Sequence, residues 1–571
     1  MPLDRRRFLA RLSAAGFSGG LFPGALYTVA AQGAAEDEAE ITVEMIEQAE
    51  QLAGLSFTPE QRAMMRDDLQ RNREGFREMR AYPLVNSVAP ALQFDLRAGG
   101  ATIPQGPVRR LTDWSPPATA LPGSDEDLAY LSVAGLASLL KTRKITSLRL
   151  TQFFIDRLKR YDERLHAVIT LTEERALAQA RAADRELDAG RWRGPLHGVP
   201  WGAKDLLSVR GYRTTWGAAP YRDQEIDADA DVVRRLDDAG AVLVAKLTLG
   251  ALAMGDVWFD DITRNPWNLD QGSSGSSAGP GSAVSAGLVP FAIGSETLGS
   301  IVSPSTRNGI TGLRPTFGRV SKGGAMALSW SMDKLGPMCR SAEDCALVFD
   351  AIHGRGEGDA TSYDAPFAWD PSRAASIRVG YLASAFEEDY AGKQADAATL
   401  DVLRSLGYDL KPIALPDRPI GAMRMLLIVE AAASFDALTR SGRTDWMVRQ
   451  TAGSWPNSFR QARFIPAVEY VQANRHRTLL MRDMEAVMAD VDVFVSPSFG
   501  GGTLLTTNLT GHPAVCVPNR FDPLENPPDQ RRRAPGSITF IGGLFKDAET
   551  LAVAHAYQQA TDFHLRRPAL E

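Results

Sequence analysis

Cysteine is scarce in this chain: three residues, Cys339, Cys345 and Cys516, among 571. Their spacing fits neither a zinc site nor a disulfide framework, so the fold has to be held by its core rather than by cross-links. No HExxH motif occurs and the seven histidines are scattered, which leaves no sequence argument for a metal centre or any other cofactor. An excess of one charge is missing too. The net charge of −6 supports solubility and provides no basic stripe for nucleic acid, and the one basic run, Arg531 to Arg533, lies near prolines and reads as a solvated loop. No apolar run reaches the roughly 20 residues a membrane span needs. What remains is ordinary globular composition, 44% hydrophobic and 23% charged, which excludes a disordered or fibrous chain. The length allows more than one domain.

The first thirty residues read as an address. Asp4-Arg5-Arg6-Arg7-Phe8-Leu9 precedes a modestly apolar stretch broken by Arg11, Gly16, Gly19, Gly20 and Pro23, and then comes Val29-Ala30-Ala31. This resembles a twin-arginine export signal over residues 1–31, cleaved after Ala31. It implies a periplasmic or secreted protein with no stable membrane span once the signal is gone.

Residues 36–94 are expected to be a helical segment. Ile41, Met45, Ile46, Ala49, Leu52 and Ala53 recur at helical spacing. A second helix is announced by Thr58-Pro59-Glu60-Gln61, where Thr58 caps, Pro59 suits the first turn and Gln61 reaches back to the cap. Met64, Met65, Leu69, Phe76 and Met79 continue one face, and Pro83 is the expected stop. This hairpin resembles the small helical C subunit of the tRNA-dependent amidotransferases, here fused in front of a larger domain. Residues 95–124, rich in Gly, Pro and Thr, read as a surface linker. From Asp125 to the end, helical stretches alternate with β-branched runs such as Ala241 to Ala245 and Val491 to Val495, which predicts an α/β domain with a sheet covered by helices on both faces.

The chemistry is concentrated in ordered blocks. Gly194-Pro195-Leu196-His197-Gly198-Val199-Pro200-Trp201-Gly202-Ala203-Lys204-Asp205 comes first, then Gly275-Ser276-Ser277-Ala278-Gly279-Pro280. Gly294-Ser295-Glu296-Thr297-Leu298-Gly299-Ser300 and Gly312-Leu313-Arg314-Pro315 follow, with Asn508-Leu509-Thr510-Gly511-His512-Pro513-Ala514 near the end. Together these resemble the amidase signature family, over about Asp125 to the C-terminus. The resemblance implies the amidase signature fold, with a mixed central sheet, and a Ser-Ser-Lys triad: Lys204 as base, Ser276 as relay, Ser300 as nucleophile. It also implies a cis peptide between Gly275 and Ser276, and an oxyanion hole from the backbone N–H groups of Thr297, Leu298, Gly299 and Ser300. Ser273 repeats the local pattern, but anchoring on Gly287-Leu288-Val289-Pro290 selects Ser276 as the relay.

Elementary acid–base chemistry sets the requirement. A serine hydroxyl needs a base within hydrogen-bond reach. A lysine of ordinary pKa is neutral at pH 7 in only about 4 molecules in 10,000, so Lys204 must be buried to serve. Apolar Val199, Trp201, Leu206 and Leu207 surround it in sequence, unlike a surface lysine. The Gly/Ser-rich stretch before the relay could be a linker, yet it leads into Ala283 to Val289, which reads as a buried helix. His197 is expected to be a structural hydrogen bonder.

The expected activity is therefore hydrolysis of a carbon-nitrogen amide bond through an acyl-enzyme, on a small-molecule amide. Where the family commonly has a glycine this chain has Leu298, and where it has an arginine this chain has Val302. Leu298 narrows the space beside the oxyanion hole and so counts against a bulky acyl group, and loss of the arginine removes an anchor for an anionic substrate; the expected substrate is neutral or apolar near the scissile bond. Three alternatives stand beside this. Gly275-Ser276-Ser277-Ala278-Gly279 fits the GxSxG pattern of an α/β-hydrolase esterase with Ser277 as nucleophile, but Asn265 to Gln271 cannot supply the buried strand that motif needs. The others are a degenerate binding protein and an ammonia-supplying subunit of the amidotransferase A type. Amide, ester and carbamate cleavage share one tetrahedral intermediate, so the reactive residues do not choose among them. The oligomeric state, a homodimer included, is left open by the sequence.

Overall fold

The two β-branched runs that pointed to a sheet are strands: β3 spans Val242–Leu247 and β11 spans Val493–Pro497. Both are buried along their whole length, as strands covered on two faces must be. The computed structural model describes residues 40–82, 84–525 and 528–570. The export-signal expectation on residues 1–31 and the Pro83 stop lie outside these.

The chain divides into two compact units. The first holds residues up to Leu84 together with Asp436–Thr444, the second Val85–Phe435 and the chain from Asp445 onward. In the first unit, helix α1 (Val43–Ala53) is capped by Thr42 and ends at Gly54 in the left-handed region, φ 66°. Helix α2 (Pro59–Arg80) starts with a complete capping box: Gln61 N–H donates to Thr58 Oγ1 (3.3 Å) and Thr58 N–H to Gln61 Oε1 (2.8 Å). Arg62 on α2 pairs with Glu47 and Glu50 on α1, closing the hairpin.

The second unit is an α/β fold around one mixed eleven-stranded sheet, with helices on both faces. The strand order is β1 (Val168–Leu171), β3, β2 (Pro200–Lys204), β6 (Phe291–Glu296), β8 (Lys334–Cys339), β7 (Thr311–Arg314), β12 (Ala514–Glu525), β13 (Pro528–Gly542), β11, β9 (Val379–Leu382) and β10 (Lys411–Ile413). β2 runs parallel to both β3 and β6, and β6 runs antiparallel to β8. Helix α3 (Ser147–Leu165) places Ile155, Leu158, Tyr161 and Leu165 on Val242 and Val244 of β3; Ala283, Val284 and Ile301 complete this core. Each such aliphatic side chain contributes about 1.5–3 kcal/mol when fully buried.

Helix α4 (Ala278–Ser285) is buried at every position and lies against β2, β3, β6 and β8. It begins five residues before the run that announced it, directly after the serine pair. Within 95–124, expected as a surface linker, Leu96 is fully buried against Phe317. Arg110 donates to the carbonyls of Asp350 and His353, and Leu111 N–H to the Asp350 carboxylate. An apolar residue and a guanidinium that find such partners fasten this stretch to the second unit. Among the described residues no helix is long and apolar enough to cross a membrane.

Candidate active site

β2 and β6 are parallel neighbours, with Trp201, Gly202 and Ala203 opposite Phe291, Ala292 and Ile293. Their carboxyl ends therefore emerge at one edge of the sheet, the usual place for ligand chemistry in such folds. β2 ends on Lys204, and β6 ends on Ser295 and Glu296.

Lys204 is fully buried. Its Nζ lies 2.8 Å from Ser276 Oγ, 3.0 Å from Ser277 Oγ and 2.8 Å from Ser295 Oγ. No ion pair to Lys204 occurs among the described residues, so nothing compensates the charged form directly. Burial drives its pKa well below the ordinary lysine value, against the opposing pull of the Asp333 and Glu296 carboxylates.

The Gly275–Ser276 peptide bond is cis. Ser276 is buried, and the next residue, Ser277, donates its backbone N–H to the Ser300 carbonyl (3.2 Å), which holds the serine pair against the backbone of the third serine. The Ser277 hydroxyl donates to the Ser295 carbonyl (3.1 Å) and accepts from Ser295 N–H (3.2 Å). This approach requires glycine at 294, where a Cβ would stand 2.8 Å from Ser277 Oγ and 2.6 Å from Met338 Sδ.

Ser300 follows a turn in which Gly299 has φ +83°, a conformation other residues rarely hold. Both sides of the turn are pinned. Before Ser300, the Thr297 hydroxyl donates to Asp333, which also accepts from the N–H groups of Leu328 (2.8 Å) and Ser329 (3.0 Å). After it, the Glu296 carboxylate accepts from the N–H groups of Ile301 (2.8 Å) and Val302 (3.0 Å), and from Arg314 (2.9 Å) and Asn508 (2.8 Å). Burial pushes the Glu296 pKa up, but the Arg314 charge and these donors outweigh it and hold it at about 2. Burial raises the pKa of Asp333. Among the described residues the N–H groups of Leu298, Gly299 and Ser300 engage no acceptor, so three backbone donors are free at the turn.

The structure thus brings Lys204, Ser276 and the Ser300 turn together, and adds Ser277, Ser295, Glu296 and Asp333, which the motif reading gave no role beside the lysine. Three of these four sit inside the blocks that carry the family resemblance; nothing in the sequence marked Asp333. His197 is fully buried and accepts from Arg193 N–H (3.2 Å) through Nδ1, with Nε2 3.3 Å from Glu186. Burial lowers its pKa to about 4. The esterase alternative lacks its strand: among the described residues β5 (Asn268–Gly272), ahead of Ser277, pairs only with β4 (Arg264–Asn265), outside the central sheet. Among the described residues no cluster of three His, Cys, Asp or Glu side chains is placed to hold a metal ion.

Comparison with known proteins extends this picture. The A-type subunit of the glutamyl-tRNA(Gln) amidotransferase of Methylococcus capsulatus is 33% identical over 488 residues, covering 77% of this chain and 98% of that protein. The crystal structure of the native peptide amidase from Stenotrophomonas maltophilia superposes with a TM-score of 0.67 at 29% identity, over 75% of this chain and 96% of that one. A bacterial aryl acylamidase of the amidase signature enzymes shares the fold, with a TM-score of 0.67 at 21% identity, over 78% of this chain and all of that one (100%). The amidase family itself matches residues 149–522, which include Lys204, all three serines around it and the Ser300 turn. With the fold, the blocks and this match in agreement, the chain belongs to the amidase family and is an enzyme of carbon-nitrogen bond hydrolysis.

Proposed function

We propose that the chain is a serine amidase in which Ser300 is the nucleophile, Ser276 the relay and Lys204 the base. Neutral Lys204 takes the Ser276 proton as Ser276 takes that of Ser300, and Ser300 Oγ adds to the amide carbonyl. The negative oxygen is held by backbone N–H groups from Thr297 to Ser300. The proton then returns from Lys204 through Ser276 to the leaving nitrogen, the C–N bond breaks, and water repeats the cycle on the acyl-enzyme. The observation that carries this reading is a buried lysine without an ion pair, 2.8–3.0 Å from three hydroxyls. Leu298 beside the turn and Val302 after it support a neutral or apolar substrate. The test is a panel of amides and esters assayed with wild type and Ser300→Ala, with a fluorophosphonate probe to locate labelling. Labelling elsewhere than Ser300, or unchanged turnover in Ser300→Ala, would sink the mechanism. Faster turnover of malonamate-like acidic amides than of neutral ones would sink the substrate class.

An alternative role, as an A-type subunit that releases ammonia from an amide for a partner, draws stronger support from the curated relatives, which are amidotransferase subunits of that type matched over 98% of their length. It would use the same Ser300 step and differ in the fate of the ammonia. The hairpin of α1 and α2, resembling a C subunit, would then be its fused companion. The twin-arginine-like start and the likeness to a peptide amidase support the free-standing hydrolase instead. Glutamine hydrolysis that appears only with a B-type partner, together with retention of the chain in the cytoplasm, would decide for the amidotransferase role.

A further inference from the structure

The antiparallel ladder between β6 and β8 ends with Ser295 opposite Leu335 and Glu296 opposite Lys334. One step further in the same register Thr297 faces Asp333, and there the ladder gives way to a side-chain bond. The Thr297 hydroxyl donates to one oxygen of the Asp333 carboxylate, and both residues are buried. The other oxygen accepts from the N–H groups of Leu328 (2.8 Å) and Ser329 (3.0 Å), while Asp333 N–H returns to the Ser329 carbonyl (2.9 Å).

The segment that carries Asp333 is fastened in turn. Buried Glu430 accepts from the Ser329 hydroxyl (2.7 Å), the Ser331 hydroxyl (2.7 Å) and Ser331 N–H (3.0 Å). Buried Arg477 donates to the Ser331 hydroxyl and carbonyl (2.8 Å each). Thr297 is therefore tied to a fixed point. On the far side of Ser300 the Glu296 carboxylate holds the N–H groups of Ile301 and Val302. Between these two anchors lie the N–H groups of Leu298, Gly299 and Ser300, which engage no acceptor among the described residues, on a turn whose Gly299 has φ +83°. A donor without a partner has no bond of its own to set its direction, so the anchors at either end must set it.

Resting on the Ser300 reading, we propose that Thr297 and Asp333 are a positioning pair, whose hydroxyl–carboxylate bond aims the free N–H groups of the turn at the oxygen that turns negative as Ser300 adds to the carbonyl. Both side chains act through the backbone of the turn and neither transfers a proton. An interaction that matters only once the charge develops lowers kcat when it is lost and leaves KM alone.

The test uses the full chain with a neutral amide, reading kcat and KM from ammonia release, the rate of fluorophosphonate labelling at Ser300, and thermal melts. Thr297→Val keeps the side-chain shape and loses the hydroxyl. It is expected to lower kcat about 30-fold with KM within about 2-fold, since a small misplacement of a group at the reacting centre costs up to about 100-fold. Labelling should slow by a similar factor, because the phosphonyl oxygen uses the same donors. Thr297→Ser restores the hydroxyl and should bring kcat back to within about 3-fold of wild type. Asp333→Asn is expected to lower kcat about 10-fold, and the double variant Thr297→Val/Asp333→Asn to be no slower than the slower single one, as for two ends of one bond. Should Asp333→Asn fail to fold, the two Thr297 variants decide. Unchanged kcat in Thr297→Val, a loss that Thr297→Ser does not recover, a loss confined to KM or to the melting temperature, or losses that multiply in the double variant overturns the proposal. Ser300→Ala separates the two levels. If it is inert and the probe labels Ser300 while Thr297→Val keeps full kcat, only the positioning pair falls; if Ser300→Ala still turns over, or the probe labels elsewhere, the Ser300 reading falls and takes the pair with it.

Discussion

Ser295 Oγ lies 2.8 Å from Lys204 Nζ, as near as the Ser276 hydroxyl. A neutral amine has two N–H groups and one lone pair. The Ser277 proton is committed to the Ser295 carbonyl, so Ser277 can only accept from the lysine. With Ser295 taking the other N–H, the lone pair is left facing Ser276, the geometry a relay needs. On the proposed mechanism Ser277 and Ser295 are positioning residues. Ser295→Ala and Ser277→Ala are each expected to lower kcat about 10-fold, near 1.4 kcal/mol of barrier, with KM little changed. A Ser295→Thr variant that keeps the hydroxyl should recover most of the loss, which a merely structural role would not require.

The depressed pKa of Lys204 sets the direction of the pH profile. If Lys204 is the base, as proposed, activity needs the free amine, so kcat/KM should rise on an acid limb lying far below 10.5, where an ordinary lysine would place it. Stability follows the same sign. Between the folded and unfolded pKa values the unfolded chain binds the extra proton, so stability increases with pH by up to about 1.4 kcal/mol per unit. Thermal melts from about pH 6 to 10 should show a steeper rise in wild type than in Lys204→Met, where buried Lys334 and Lys246, whose pKa values are also lowered, still contribute. An acid limb at or above the ordinary lysine value would remove Lys204 as base.

Glu296→Gln leaves the Arg314 guanidinium buried without its counter-charge. A loss of about 3–5 kcal/mol is expected, together with a looser turn, since the same carboxylate binds the N–H groups of Ile301 and Val302. With a folded pKa of about 2, below the ordinary 4.5, the carboxylate stabilises the fold above pH 4.5 and loses that contribution as pH falls toward 2. Acid melts of wild type and Glu296→Gln should converge over that window.

Leu298 is half-buried in the turn before Ser300. Leu298→Gly, restoring the residue the family commonly carries, is expected to raise kcat/KM for amides with a branched acyl group about 10-fold relative to acetamide, measured as ammonia release. An unchanged ratio would show that Leu298 does not limit access.

Short-range signals made much of the fold legible. Thr58 and Gln61 lie within one turn, and the runs at 241–245 and 491–495 need only local alternation with helices to be read as strands. The order of the blocks marked Lys204, Ser276 and Ser300. What stayed hidden depends on register: Ser295 meets the lysine because β2 and β6 are parallel neighbours, and Ser277 reaches both through its bonds to Ser295, relations no single segment contains. Asp333 reaches Thr297 from a different strand connection, and Leu96 is buried only because Phe317 arrives from far along the chain.

The hydroxyls around Lys204 come from residues 72 to 91 positions further along the chain. Closing loops of that length is slow and entropically costly before any contact rewards it. Recovery of turnover after dilution from denaturant should therefore trail the return of helical signal, and proteolytic fragments ending before Ser300 should stay inert however well their local structure forms.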